Sequence, residues 1–330
     1  MSEDKKGMSR LEWYFNKLIW NTHMLHELWL GLLVVVLYTL ALVLAQIYLK
    51  LDIWPNPSNM VHSILGLALG LLLVFRTNTA YDRWWEGRKL LGALVNNARN
   101  LAIKIKTYFT SEDDQKFMAR MTAAYCFALK SHLRDRDGAK RVFELQLITE
   151  QEYQHLKRFQ HKPNEIARMM YELANQRYEE GAMKEMQFLS FEKHLAALTD
   201  IIGGCERIKK TPMPKAYGIH LRQFLNLYIF TLPFNLVHDL KYWTVPLLAV
   251  TFYALAGLKE IGEEIEEPFG TDNNDLPVNQ IAHTIYNNVY EMVGIPQPRV
   301  FAQVTETHEV ESEHDEAQVP KLDLENIVED

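Results

Sequence analysis

Residues 53–88 read IWPNPSNMVHSILGLALGLLLVFRTNTAYDRWWEGR. No Asp, Glu, Lys or Arg occurs from Ile53 to Phe75, and charged residues follow at close spacing from Arg76 onward. An uncharged run of this kind is typical of a membrane-spanning helix, whereas the charged continuation is typical of an aqueous environment. The stretch therefore predicts a helix that leaves a membrane and continues into the cytosol.

Three further uncharged runs predict three more spans. The run from Leu28 to Leu49 holds 22 residues, which as a helix extend about 33 Å and cover the ~30 Å hydrocarbon core of a bilayer. Two later runs, Gln223–His238 and Tyr242–Leu258, are shorter, at 16 and 17 residues. A cleaved signal peptide is not expected, because the first run is too long for one. The chain is thus predicted to be a polytopic membrane protein with four spans.

Composition and charge exclude several further classes of protein. The chain has 330 residues, 48% of them hydrophobic and 23% charged, with 15 Gly, 12 Pro and 2 Cys. This profile excludes disordered, collagenous and disulfide-scaffold proteins. The formal net charge of the chain is -7, and Glu306–Asp330 alone carries more negative charge than that, because it holds ten acidic residues and one lysine. Such a segment cannot bury enough apolar surface to order itself, so residues 305–330 are predicted to form a disordered acidic tail.

The placement of basic residues predicts the orientation. Positive charges flank the first two spans on one side, at Lys5, Lys6, Arg10, Lys17, Arg76, Arg83, Arg88 and Lys89. By the positive-inside rule both termini and the long segment after the second span are cytoplasmic. The two cysteines, Cys126 and Cys205, lie in that segment, where reduced thiols are expected.

Helical periodicity continues through the polar regions, and no strand alternation persists. After the second span, apolar residues recur on one helix face at Leu90, Leu91, Leu94, Val95, Ala98, Leu101, Ala102 and Ile105. Further helical patterns cover about 112–134, 148–180 and 184–204. The sequence therefore predicts an all-α integral membrane protein whose membrane helices extend into a helical cytosolic domain.

These signals divide the chain into six predicted segments. They are an N-terminal interfacial helix (1–27), spans 1 and 2 (28–75), a cytosolic helical region (76–216), spans 3 and 4 (217–258), an acidic turn with a C-terminal helix (259–304) and the acidic tail (305–330).

An acidic segment precedes the last predicted helix. Carboxylates concentrate around Gly270, at Glu263, Glu264, Glu266, Glu267, Asp272 and Asp275. Oxygen ligands in such number suit a hard cation such as calcium, although the order of residues is not that of an EF-hand. Alternatively, Asp275 caps a helix that begins near Pro277, with an apolar face formed by Val278, Ile281, Ile285, Val289 and Met292.

The bacterial branch of the bestrophin family resembles this chain over roughly residues 8–295. The resemblance rests on four motifs in family order: FRTNTAYDRWWEGR at 75–88, CERI at 205–208 with TPMP at 211–214, LPF at 232–234, and EEPFGTDNNDLP at 266–277. It implies a homopentameric ion channel in the bacterial inner membrane, with one central pore, a hydrophobic neck and a second, cytosolic constriction.

The resemblance also assigns roles to residues. The neck positions correspond to Leu67, Leu71 and Phe75, which at four-residue spacing stack along one helix face. Counting back from Pro214 places the cytosolic constriction at Met186. The motif below the neck contains Asp82, Arg83, Trp84 and Trp85, for which a structural role is expected. The two aspartates of the family's calcium clasp correspond to Asp272 and Asp275.

Three functions follow as hypotheses, in order of preference. The first is passive passage of small monovalent ions, with chloride-type anions as the family default, and the second is a monovalent-cation (Na⁺/K⁺) channel of the same fold. The third is a membrane scaffold that recruits a soluble partner through its acidic tail. An enzyme is not expected, because no Ser-His-Asp order, nucleotide loop or Cys/His metal spacing is present. The predicted partners are therefore lipid, other copies of the chain and ions, with no nucleic acid and no cofactor apart from Ca²⁺.

Overall fold

The computed structural model describes residues 23–49, 59–272 and 274–296. Within these ranges the chain forms ten α-helices and one short 3-10 helix, and no β-strand occurs in them. The predicted all-helical class is confirmed.

The helices follow one another with short connections. They are α1 (His23–Leu49), α2 (Asn59–Tyr108), α3 (Glu112–Leu133), α4 (Gly138–Glu144), α5 (Glu150–Leu156), α6 (Lys162–Glu179), α7 (Glu185–Lys210), α8 (Lys215–Leu240), α9 (Thr244–Glu264) and α10 (Val278–Val293), and the 3-10 helix is Lys241–Trp243.

The chain divides into two compact units. The first combines Met1–Asp82 with Met213–Glu266, and the second combines Arg83–Pro212 with Glu267–Asp330. Three stretches of the described residues are long and apolar enough to cross a membrane: Leu28–Leu49, Met60–Tyr108, and Lys215–Glu264, which contains both α8 and α9. The prediction of a membrane protein agrees with these stretches.

In the first unit, α1 packs against α9 and α8, and α8 packs against α9. Side chains from α1, α2, α8 and α9 form its core, namely Val35, Leu69, Leu73, Leu221, Leu225, Ile229, Leu232 and Leu248. Pro233 lies within α8 and is buried, yet the helix continues to Leu240.

Helix α2 is a single helix of 50 residues. Its beginning belongs to the first unit and its end to the second, so the predicted continuation beyond the apolar run is confirmed. In the second unit its buried apolar side chains are Leu91, Leu94, Ala98, Leu101, Ala102 and Ile105. These six belong to the predicted apolar face.

Helix α3 forms the centre of the second unit. Its residues from Met121 to Leu129 are all buried, and it packs against α10, α6, α4 and α7. Inside this core the Tyr125 hydroxyl donates to the Leu198 carbonyl of α7 at 2.6 Å. Cys126 and Cys205 are buried free thiols, as expected from the sequence.

The predicted helix at 148–180 is two helices, which is a correction. Thr149 and Glu152 form a capping box at the start of α5, and α6 begins at Lys162 with the His161 ring as its cap. Pro163 lies in the first turn of α6, where a proline is tolerated, but it cannot continue a helix from α5. Helix α4 was not predicted at all.

Helix α10 also differs in detail from its prediction. It begins at Val278 with no side-chain cap, so capping by Asp275 is wrong. Met292 is exposed, whereas Tyr286, Tyr290 and Val293 are buried. The buried face is therefore broader than the aliphatic stripe read from the sequence, because it includes two tyrosines.

A buried carboxylate of α6 generates a pH-dependence prediction. Glu165 is surrounded by His155 Nε2 at 2.6 Å and by Arg168, whose Nε and Nη2 lie within 3.0 Å of its oxygens. Burial raises the pKa of Glu165, but the hydrogen bonds and charges of these two side chains outweigh it and hold the pKa below its ordinary value. A lowered carboxyl pKa stabilises the fold above the unfolded-state pKa of about 4.3, and this stabilisation is lost as the pH falls through the folded-state pKa.

We predict that Glu165→Gln lowers the free energy of unfolding by about 1–3 kcal/mol at pH 7, because it weakens charge-assisted hydrogen bonds. The gap in thermal unfolding midpoint between wild type and variant, measured in detergent, should narrow as the pH falls below about 4.3 and through the lower folded-state pKa. A gap that is equal at pH 7 and pH 3 would contradict this account of Glu165.

Candidate functional site

The predicted neck residues lie along one exposed face of α2. Leu67, Leu71 and Phe75 have exposed fractions of 77%, 54% and 57%. Leu69 and Leu73, on the opposite face, are exposed by 0% and 1%. The three exposed side chains form a continuous apolar stripe, because positions four residues apart stack along a helix. We call this surface the α2 stripe.

An apolar stripe of this kind can face lipid, another copy of the chain or the lumen of a pore. Other helices of the first unit also expose large apolar side chains, among them Leu37 of α1 and Val250 of α9. Exposure alone therefore does not assign the stripe to a pore. Chemically, the stripe offers a surface without fixed charge, at which the barrier to an ion is the loss of its hydration shell.

Directly after the stripe, Arg76 of α2 is buried between two glutamates. Its Nη1 lies 3.1 Å from Glu263 Oε1, and its Nη2 lies 3.3 Å from Glu266 Oε2. Glu263 Oε2 also accepts from Lys259 Nζ at 2.7 Å, and Glu266 Oε1 accepts from the Met213 amide at 3.0 Å. Partners of this kind are needed because an unpaired buried charge is strongly destabilising.

We call Arg76, Lys259, Glu263 and Glu266 the Arg76 cluster. It joins α2 to the end of α9, and the Tyr217 hydroxyl of α8 donates to the Leu72 carbonyl of α2 at 2.9 Å. The cluster was not predicted from the sequence, in which the glutamates suggested calcium ligands. The available signal was an arginine at the end of an uncharged run, which needs an acidic partner if it is buried.

The residues of the predicted motif below the neck are divided between the two units. Asp82 ends the α2 part of the first unit and is exposed. In the second unit, Arg83 donates to the carbonyls of Ile208 and Thr211, at 2.7 and 2.5 Å. An arginine side chain suits this position, because the last carbonyls of a helix such as α7 have no partner within the helix.

The two tryptophans of the motif differ in their surroundings. Trp84 Nε1 donates to the Asn274 carbonyl at 2.9 Å and packs against the core of the second unit. Trp85 is exposed by 47%. Nearby, Glu86 pairs with Arg207 of α7. These contacts hold the beginning of the second unit's α2 segment against the end of α7.

Two carboxylates of the acidic segment have partners within the first unit. Glu263 and Glu266 belong to the first unit, where they pair with Arg76, whereas Glu267, Asp272 and Asp275 belong to the second. The expectation that all these carboxylates serve one cation is therefore corrected for the first two. Their oxygens are used by an arginine, a lysine and a backbone amide.

The turn that carries Asp272 and Asp275 is closed by its own contacts. Asp275 Oδ2 accepts from the Asp272 amide at 2.7 Å, and it would lie 2.6 Å from a Cβ placed on Gly270. Arg134 Nε donates to the Phe269 carbonyl at 3.2 Å. The Asp272 amide thus uses Asp275 Oδ2, and the Arg134 side chain uses the Phe269 carbonyl, which are two oxygens of the kind that calcium binds.

Met186 lies in the first turn of α7, and its side chain is 76% exposed. Leu189, one turn further along α7, is exposed by 48%. The predicted constriction residue is thus an apolar side chain on the surface of the second unit, and not part of its core.

Arg76 and Arg222 both contact Glu263 and form a matched pair for mutation. Arg76 is 7% exposed and Arg222 is 61% exposed. We predict that Arg76→Gln destabilises the protein by about 3–5 kcal/mol, since it leaves two acidic side chains without their buried partner. Arg222→Gln should cost at most about 1 kcal/mol, as is typical of an exposed pair.

Thermal unfolding of both variants in detergent measures this difference. Equal destabilisation by the two substitutions would show that the Arg76 cluster does not hold the first unit together.

Comparison with known proteins gives a consistent result. The profile of a family described as Bacterial/Fungal Bestrophin protein matches residues 6–291. A voltage-dependent anion channel-forming protein of Nostoc sp. is 40% identical over 271 residues, which are 80% of this chain and 84% of that protein. One of the same description from Escherichia coli is 34% identical over 230 residues, covering 70% of this chain and 75% of that protein.

Solved structures also resemble this chain. The crystal structure of a bacterial bestrophin homologue from Klebsiella pneumoniae superposes with a TM-score of 0.75 at 29% identity. The match covers 80% of this chain and 98% of that one.

Proposed function

Because this chain belongs to the bacterial and fungal bestrophin family, we propose that it is a passive channel for small monovalent anions such as chloride. The family and the relatives point to a channel and not to an enzyme. Several of the relatives are named for forming anion channels. The proposal for this chain rests on the α2 stripe, which is apolar and exposed. The buried Arg76 cluster follows it directly along the helix.

In the proposed assembly, five copies of the chain surround one pore, and each contributes its α2 stripe. Leu67, Leu71 and Phe75 then form three stacked apolar rings, which are the neck. Such a constriction holds no fixed charge, so its width and its wetting decide whether ions pass. Phe75 adds ring edges that are weakly positive and favour an anion.

The cation channel is the second candidate, and it rests on the composition of the neck. Two of its three positions are leucines, whose side chains carry no partial positive edge toward the lumen. A neck of this kind hinders both signs of ion by dehydration. The names of the relatives favour the anion.

The scaffold hypothesis concerns the tail, which lies outside the described residues.

The proposed topology has four crossings, with α8 and α9 as the last two, and both termini in the cytoplasm of a bacterial inner membrane. Basic residues flanking the first two spans support this orientation. Trp243, exposed by 76% at the α8–α9 connection, suits a membrane interface.

Met186 is proposed to face the cytosolic constriction. Asp82, Arg83, Trp84 and Trp85 are proposed to fix the helix below the neck.

Calcium has no place in the proposed conduction. The Asp272–Asp275 turn is closed by its own hydrogen bonds and by Arg134, and Glu263 and Glu266 pair with Arg76. The channel is thus proposed to conduct without a calcium ion at this turn.

Cysteine substitution tests the neck, and the native thiols suit the experiment. Cys126 and Cys205 are buried, and burial raises the pKa of both, that of Cys205 to about 12. Such thiols react slowly at neutral pH. We predict that a charged methanethiosulfonate reagent leaves wild-type current in planar bilayers unchanged but reduces the Leu71→Cys current severalfold.

Leu37→Cys is the matched control, because Leu37 of α1 is as exposed as Leu71 but is proposed to face lipid. Its current should not respond to the reagent. Current through Leu71→Cys that is insensitive to modification, or equal sensitivity at Leu37→Cys, would remove the α2 stripe from the pore.

A further inference from the structure

Three side chains from three helices of the second unit meet at one point. His132 lies in the last turn of α3, His161 caps α6, and Glu206 belongs to α7. His132 Nε2 lies 2.5 Å from Glu206 Oε1, and His161 Nε2 lies 3.1 Å from the same oxygen. The two imidazole rings are 4.4 Å apart between centroids. Throughout the described residues, this is the one group of three His, Cys, Asp or Glu whose ligand atoms lie within 4.8 Å of one another.

We propose that His132, His161 and Glu206 form a binding site for a divalent transition-metal ion of the zinc class. Two imidazoles and one carboxylate are a ligand set that zinc uses with water in the fourth position. Imidazole nitrogens suit Zn²⁺, Ni²⁺ and Cu²⁺, whereas Ca²⁺ and Mg²⁺ require oxygen ligands. The site is distinct from the acidic turn and from the α2 stripe.

Both contacts to Glu206 need little change to accept the ion. Ligand atoms at about 2.0–2.2 Å from a tetrahedral zinc are about 3.3 Å from one another. The contact between His161 and Glu206 already has nearly this length, and the contact between His132 and Glu206 must open by less than about 1 Å. The side chains of His132, His161 and Glu206 are 27%, 30% and 19% exposed, so an ion from solution can reach them.

Two neighbouring contacts oppose the metal. Lys210 Nζ lies 3.3 Å from Glu206 Oε2, so it competes for the carboxylate and repels a cation. His161 Nδ1 accepts from the Asn164 amide at 3.2 Å. Coordination through Nε2 moves the imidazole proton to Nδ1, and α6 then loses this cap. Because both contacts oppose coordination, we expect the site to bind zinc reversibly. Removal of the Lys210 charge should increase its affinity for zinc.

The site would act on the end of α7. Glu206 is two residues before Ile208, whose carbonyl accepts from Arg83. A metal held by α3, α6 and α7 therefore restrains the segment of α7 that holds the second unit's part of α2. Since a ligand that binds only the folded state stabilises it, zinc should raise the unfolding temperature.

The test is calorimetric titration of ZnCl₂ into the purified full-length protein in detergent, with thermal unfolding as a second readout. We expect saturable binding, a rise in unfolding temperature, and a loss of affinity of at least about tenfold in His132→Ala and in His161→Ala. Lys210→Gln should bind zinc severalfold more tightly. This gain cannot arise from misfolding, so it keeps the test decisive if an alanine variant is unstable.

His155→Ala is the matched control, because His155 also contacts a carboxylate, that of Glu165, at 2.6 Å but lies outside the site. Its zinc affinity should equal that of wild type. The tail contains His308 and His314, so binding is assigned to the site by difference between wild type and His161→Ala. Absence of zinc binding, or binding that survives both alanine substitutions, would overturn the proposal whether or not the protein conducts ions.

Discussion

A buried arginine at the end of an apolar helix segment must find anionic partners, and in this protein that requirement sets the rotation of α2. Arg76 lies on the same helix face as Leu69 and Leu73, which are buried in the core of the first unit. Because Arg76 points to Glu263 and Glu266, the opposite face of α2 must point away from the core. That face carries the α2 stripe. The buried Arg76 cluster and the exposed α2 stripe thus result from the same packing of α2 in the first unit.

The same helix serves a different purpose in the second unit. There its apolar face, from Leu91 to Ile105, contributes to a core centred on α3. Arg83 binds the carbonyls at the end of α7, so a cationic side chain again fixes α2, this time through backbone acceptors. Arg76 follows the α2 stripe and Arg83 precedes the apolar face of the second unit, and each is held by specific partners. The helix that we propose to line the pore is therefore restrained by its neighbours in both units.

Much of the fold could be predicted from local patterns in the sequence. The 50-residue helix α2, its buried face and the all-helical class follow from hydrophobic periodicity and run length. One error follows from an overlooked local signal: Pro163 lies in the first turn of α6 and cannot continue a helix from α5. Contacts between distant residues could not be predicted. Arg76 and Glu263 are 187 residues apart, and only the fold brings His132, His161 and Glu206 together.

Five α2 stripes are proposed to form an uncharged neck through which anions pass. The reversal potential of the purified protein in planar bilayers under a potassium chloride gradient tests this proposal most directly. A reversal potential near the chloride equilibrium potential, shifted by Leu71→Phe or Leu71→Ala, is the result that this account predicts. A reversal potential near that of potassium would contradict the anion assignment, and the absence of current would contradict the channel itself.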